Sequence, residues 1–263
     1  MDTFESICFW ASVTLYASGF TLGLIGWALS KNKLSSSIRW LVTAAVLFQA
    51  AGLGHRAWIQ AAPPMITYFE SVCFGSMLAG IAYAFLARKV PETTGSVLCF
   101  IIFLLMGSAA LKPSPYTHWA PGLQSWWLII HVFFAMSTFG ALVLGVGAAV
   151  GTLQKWKPVK DLPRLNRILV QCLSYSFFAQ TAMVASGAVW AKKAWGRYWG
   201  LDPIECFSIL AWIAYGAALH LNKTYGWRDR KLAWVVVVSM IICVYGIWGV
   251  PFFFESAHLY EIQ

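Results

Sequence analysis

Eight apolar runs, each close to the length that crosses a membrane, leave this chain essentially one class of fold. They cover residues 8–29, 38–59, 68–86, 97–111, 126–153, 169–191, 206–221 and 232–254. A helix rising 1.5 Å per residue needs about twenty such residues to cross roughly 30 Å of hydrocarbon. The chain is 59% hydrophobic and only 11% charged, too little polar material to cover a soluble domain of 263 residues. The expected fold is therefore all-α, a polytopic membrane helical bundle of about eight transmembrane helices forming one integral membrane domain over 1–263. The fourth and seventh runs are short. The first follows Asp2 and Glu5 rather than positive charge and exceeds a signal-peptide core, so it reads as a retained helix.

Basic residues set the expected orientation. Fourteen of the nineteen lie in alternate connections: Lys31, Lys33 and Arg39; Arg88 and Lys89; Lys155, Lys157, Lys160, Arg164 and Arg167; Lys223, Arg228, Arg230 and Lys231. Those connections are expected on the cytoplasmic side, with both termini outside. The formal charge of +9 is then a record of topology, with basic loops facing anionic lipid, and no nucleic-acid partner is implied.

One external connection departs from an ordinary linker. It runs Trp195, Gly196, Arg197, Tyr198, Trp199, Gly200, Leu201, Asp202, Pro203. Single tryptophans at a membrane interface are belt residues, but this density of aromatic groups also makes a platform for a flat apolar ligand. Lys192, Lys193 and Arg197 lie on the side where positive charge is depleted. Either the interface tolerates them, or they partner the acidic groups of an anionic ligand through charge-assisted contacts. Small residues at helical spacing, Gly140, Gly147 and Gly151 among them, suit close helix packing in lipid.

Six cysteines, Cys8, Cys73, Cys99, Cys172, Cys206 and Cys243, contain no Cys-x-x-Cys pair, which argues against a thiol relay or zinc site. Of five histidines, His131 and His258 fall near the outer ends of the fifth and eighth runs, at the depth of the aromatic loop. Either one alone reads as an interfacial residue. Together with the loop they have the makings of a bis-histidine haem site. A mononuclear metal would need further ligands at that depth, and only Asp202, Glu205 and Glu255 are near. His220 lies toward the inner end of the seventh run, where an ionisable group is a functional candidate. His55, beside Arg56, and His118 carry no such signal.

With these residues assembled, the chain resembles the haem-handling, tryptophan-rich-motif proteins of cytochrome c assembly: CcsA/ResC, CcmC, CcmF and the HemX-like proteins. The family loop reads approximately Trp-Gly-x-Tyr-Trp-x-Trp-Asp-Pro-Lys-Glu-Thr, matched here by Trp195, Gly196, Tyr198, Trp199, Asp202, Pro203 and Glu205. Leu123, Gln124 and Ser125 through Trp127 to His131 and Val132 resemble the segment bearing the first external histidine. Leu219 and His220 resemble the intramembrane histidine, and Gly249 through His258, Leu259 and Tyr260 the segment with the second external histidine. The family core is expected over 123–263, with its external loop at 195–205. The helices of 1–122 match weakly, chiefly through 64–71 with Glu70. Leu201, Ile204, Cys206 and Phe207 depart from the pattern.

The resemblance implies an integral protein of a bacterial cytoplasmic or thylakoid-type membrane that binds haem b. Haem would enter near His220 and be held at the extracytoplasmic face by His131 and His258 against the loop. There it would be presented to a Cys-x-x-Cys-His segment of apocytochrome c, whose thiols add to the haem vinyl groups. A CcsB/ResB-type membrane partner is implied. No residue stands out as an obligatory acid or base, so membership of a cytochrome c synthase is left open. The alternative is a HemX-like protein that binds haem or a tetrapyrrole-pathway enzyme and regulates synthesis without ligation.

Overall fold

The computed structural model describes residues 1–29, 34–112, 115–116, 121–154 and 161–255. Among them are eight helices long and apolar enough to cross a membrane: α1 (Thr3–Ala28), α2 (Leu34–Gln60), α3 (Tyr68–Leu86), α4 (Thr93–Ala110), α5 (Trp126–Leu153), α6 (Leu162–Trp195), α7 (Pro203–Tyr225) and α8 (Asp229–Val244). The all-α bundle expected from the apolar runs is thus observed. The two short runs gain residues at their ends, and α6 takes up part of the basic connection before it. After α8 the backbone continues through one π-helical turn (Tyr245–Gly249) and a short 3-10 turn (Val250–Phe252).

The helices alternate in direction. The end at which the chain starts, here called the upper end, carries Asp2, the connections 61–67 and 196–202, and residues 253–255. The lower end carries the basic turns, tied together where Asn166 accepts from the Asp229 backbone at 2.7 Å and donates to its carboxylate at 2.6 Å. Central α5 packs against α3, α4, α6 and α8, whereas α7 leans on α6 and α8 and is the least buried helix.

Local chemistry explains the ends. Asp2 caps α1, Thr67 and Glu70 form a capping box on α3, and Asp202 and Glu205 form another on α7 with Pro203 inside the first turn. Gly196 closes α6 with a left-handed φ of 75°, a conformation that costs glycine nothing. Within the helices, hydroxyls of Thr14, Ser18, Thr43, Thr138 and Thr152 donate to the carbonyl four residues back, so they are satisfied without water. Close approach is made possible by glycine: a Cβ at Gly147 would lie 2.5 Å from Thr94 Cα, so α4 and α5 touch backbone to backbone there.

Candidate functional site

The upper end of the second half is hollow. A cavity of about 220 Å³ opens between α5, α6, α7 and the end of α8, with the start of α3 as its remaining wall. Trp199 and Tyr198 stand at its rim. Tyr215 lines it twelve residues into α7, about 18 Å along the helix axis. The walls are mainly apolar and aromatic, and among the described residues lining the cavity there is no lysine or arginine. Trp248, on the π-helical turn, is buried in the wall and donates from Nε1 to Ser71 Oγ at 3.0 Å, with its ring edge-on to Phe139 at 4.9 Å. Single π turns recur at functional sites, and this one carries Gly246, Ile247 and Trp248 into the lining.

His131 is the histidine among the described residues that line the cavity. Its Nδ1 lies 2.9 Å from the Met183 carbonyl oxygen of α6. A carbonyl only accepts, so Nδ1 carries a proton, and in the neutral ring the lone pair is then on Nε2. That is the arrangement a metal-ligating imidazole adopts when its other nitrogen is fixed by backbone. The ring is stacked on Trp190 at 6.3 Å between centroids. Trp190, almost wholly buried, donates from Nε1 to the Gly122 carbonyl at 3.2 Å and meets Trp195 edge-on at 4.8 Å. Leu123, Leu128 and Trp190 form a small second core, joined by Trp195, which holds the upper loop against α6.

The aromatic loop is a folded structure. Glu205 Oε2 accepts from the backbone N–H of Gly200 at 2.7 Å and of Asp202 at 3.3 Å, while Asp202 Oδ1 accepts from Ile204 N–H at 2.9 Å. Asp202, Pro203 and Glu205 therefore have a local task, starting α7 and fixing the turn before it; Glu205 also lines the cavity. Leu201 takes a left-handed φ of 56° and points to the outside. Lys192 Nζ donates to the Gly196 carbonyl at 2.8 Å and stands 5.6 Å over the Tyr198 ring. Together with Lys193 it sits in the last turn of α6, where cations oppose the helix dipole. Arg197 folds its guanidinium over Gly200, whose Cβ would lie 2.7 Å from Arg197 Cζ. All three cations are exposed beside the rim rather than inside the cavity.

Other predicted residues are placed apart. His220 is exposed on the lower part of α7, 3.4 Å from Thr224 Oγ1, and does not line the cavity. His258 and His118 lie outside the described residues. Among the described residues no cluster of three or more His, Cys, Asp or Glu side chains is placed to hold a metal ion.

Sequence reasoning passed over a second polar constellation. Arg56, fully buried at the upper end of the first half, donates from Nη1 to Glu5 at 2.9 Å, from Nε to Glu70 at 2.6 Å and from Nη2 to the Pro115 carbonyl at 2.5 Å. Tyr116 donates to Glu5 at 3.1 Å, and His55 pairs with Asp2 at 2.5 Å. Glu70 serves both its capping box and this network. The available signal was Arg56 and Glu70, each inside an apolar run, where lone charges are expensive, with Glu5 just ahead of the first run.

Fold and site together define an all-helical integral membrane protein with an aromatic cavity at one end and a histidine on its wall. The family profile described as cytochrome c assembly protein matches residues 65–258, and the chain belongs to that family. The matched span takes in α3 and α4 as well as the core expected from residue 123. Curated relatives include the cytochrome c biogenesis protein CcsA of Synechococcus sp. (strain RCC307), 30% identical with 84% of each chain covered. The CcsA of Prochlorococcus marinus (strain NATL2A) is 26% identical, covering 89% of this chain and 88% of its own. Among solved structures, the cytochrome c haem lyase CcmF superposes with a TM-score of 0.72 over 93% of this chain at 18% identity. That likeness concerns the fold. The chain spans about half of the CcmF chain, 46% of its length.

Proposed function

We propose that the upper cavity holds haem b on its way to apocytochrome c, with His131 as one axial ligand and His258 as the other. The observation that carries this reading is the state of His131: on the cavity wall, with Nδ1 hydrogen-bonded to backbone and the lone pair on Nε2. The lining fits a porphyrin in kind, because Trp199, Trp248 and Tyr198 offer flat apolar faces while the walls carry no cation to stabilise a carboxylate in the interior. Acidic groups of the ligand would stay at the rim, where Lys192, Lys193 and Arg197 are exposed.

The upper end is taken as the extracytoplasmic face, since Arg88, Lys89, Arg164, Arg167, Lys223, Arg228, Arg230 and Lys231 gather at the other. His220, on the exposed surface of α7, is suited to meet a second chain of CcsB/ResB type and to hand haem across between the two. When bound, haem supplies the vinyl groups to which the two thiols of a Cys-x-x-Cys-His segment add. The residues of this chain bind and orient it: the indoles exclude water, His131 fixes the iron, and the loop capped by Asp202 and Glu205 holds Trp195, Tyr198 and Trp199 in place. Their contribution to the reaction is proximity and orientation.

The test is the absorption spectrum, with a pyridine haemochrome assay, of protein purified in mild detergent from haem-replete cells. The expected outcome is a sharp reduced α band that is lost in the His131→Ala, His258→Ala double variant. An unchanged spectrum in that variant removes the ligand assignment. A protein without haem, also when co-expressed with a ResB-type partner, shifts the reading to a HemX-like regulatory role.

A further inference from the structure

We infer that Gly187, together with the Met183 carbonyl and Trp190, forms a built seat on α6 that fixes both the position and the tautomer of His131. Gly187 is thereby a positioning residue of the site. The inference rests on the haem reading only for its purpose; the seat itself is a property of the polypeptide alone.

Residues 183, 187 and 190 are spaced i, i+4 and i+7 and so lie along one face of α6. His131 reaches that face from the antiparallel α5. Its Nδ1 donates to Met183, its ring stacks on Trp190 with an interplanar angle of 29°, and the gap between these two contacts is filled by the backbone of Gly187. A Cβ built on Gly187 would lie 2.5 Å from His131 Nδ1 and 2.8 Å from Cε1. Any side chain there would displace the imidazole. Glycine in a helix interior is unfavourable relative to alanine, and the imidazole resting against it gives that cost a reason within the 34 residues of α6.

The hydrogen bond has a chemical consequence. A histidine side chain in water prefers its proton on Nε2, which would occupy the nitrogen needed for iron. The Met183 carbonyl reverses that preference, and the stacked Trp190, itself anchored to Gly122, keeps the ring from turning away. The atom in conflict with a residue-187 side chain is the mobile end of His131 rather than backbone. Substitution should therefore move the imidazole and leave α5 and α6 packed. The Met183 carbonyl stays satisfied in that event by its place in the hydrogen-bond ladder of α6, with Ser186 Oγ, 2.6 Å from the Ala182 carbonyl, a more distant neighbour at 3.1 Å.

The experiment uses the full chain, labelled with ¹⁵N-histidine and kept free of haem in detergent. Two-bond proton–nitrogen correlation spectra distinguish the two tautomers, and a His131→Gln sample assigns the signal. The parent should show His131 protonated on Nδ1. Gly187→Ala should change that signal to an Nε2-protonated or averaged pattern and leave the other histidine signals in place. Gly54→Ala, at a position where a Cβ meets nothing within 4 Å, should match the parent. In haem titrations the loss of such outer support should weaken affinity about 10- to 100-fold in Gly187→Ala. A parent His131 protonated on Nε2 overturns the seat without need of any variant. So does a Gly187→Ala protein that keeps the parent tautomer, or one that binds haem as tightly as a haem-binding parent. A parent that takes up no haem but shows the expected tautomer overturns the haem reading and leaves the seat standing.

Discussion

The upper ends of the two halves of the bundle solve the same physical problem in opposite ways. Between α1, α2 and α3 the interior holds only a small void of about 20 Å³ and its charges are matched: Arg56 is enclosed by Glu5 and Glu70, and the fully buried hydroxyl of Tyr16 donates to Gln49 at 2.8 Å. Between α5, α6, α7 and α8 the interior is hollow and apolar, and the equally buried hydroxyl of Tyr215, on the cavity wall, meets no oxygen or nitrogen partner among the described residues, only the weakly bonding Cys243 thiol. Satisfied polar groups in a packed core serve stability. A hollow lined by aromatic rings, one oriented imidazole and one weakly partnered hydroxyl has the character of a site that is completed by something else.

The largest effect should come from breaking the matched side. Arg56→Met leaves Glu5 and Glu70 as buried carboxylates without their cation, and losing one member of such a set costs about 3–5 kcal/mol. Unfolding of the detergent-solubilised variant should occur well before the parent. Adding Glu5→Gln and Glu70→Gln should recover much of the loss, while haem bound per folded molecule stays at the parent level. A variant as stable as the parent, or one that stays folded yet loses haem, would erase the division of labour between the halves.

The two tyrosines sharpen the contrast at a smaller scale. Tyr16→Phe removes a made hydrogen bond and strands Gln49, so it should destabilise by about 1 kcal/mol or somewhat more. Tyr215→Phe removes a buried hydroxyl whose neighbour is only the weakly bonding Cys243 thiol, so in haem-free protein it should cost less than Tyr16→Phe and lie near neutral. Paired unfolding curves check this. Equal losses in both would mean that the Tyr215 hydroxyl is satisfied after all, and that the hollow is no different in kind from the packed half.

The sequence disclosed those parts of this picture that repeat along the chain. Eight helices follow from eight apolar runs, and the turn at 195–205 was legible because Gly196, Asp202, Pro203 and Glu205 form a helix stop and a helix start at fixed offsets. His131 stood out by its depth. What stayed hidden depends on pairs far apart in the chain: Arg56 with Glu5, 51 residues away, His131 with Met183, 52 residues away, and Gly187 beneath the imidazole. Periodicity places a residue on a face of its helix but does not say which helix lies opposite. Asp202 and Glu205 show a second kind of gap, since residues read from the sequence for their place in a ligand-binding motif also carry the hydrogen bonds of the loop itself.

The smallest predicted effect concerns Asp2, at the edge of the matched side and outside the membrane-spanning segments. Its carboxyl is held below the usual value of 3.8, chiefly by the Glu5 backbone N–H and next by His55, with Tyr116 contributing less. A carboxylate whose folded pKa is depressed contributes stability that is complete above the unfolded value and is lost as pH falls through the folded one. The parent should therefore be more stable than Asp2→Asn at neutral pH. The difference should shrink only once pH falls below about 4, where the carboxylates begin to take up protons. Because Asp2 is exposed, solvent screening keeps the difference modest, and salt should reduce the contribution from His55 further. A difference that persists unchanged to pH 2 would show that Asp2 acts on α1 as a neutral cap. The charge-matched upper end of the first half would then stop at the Arg56 network, without reaching the chain terminus.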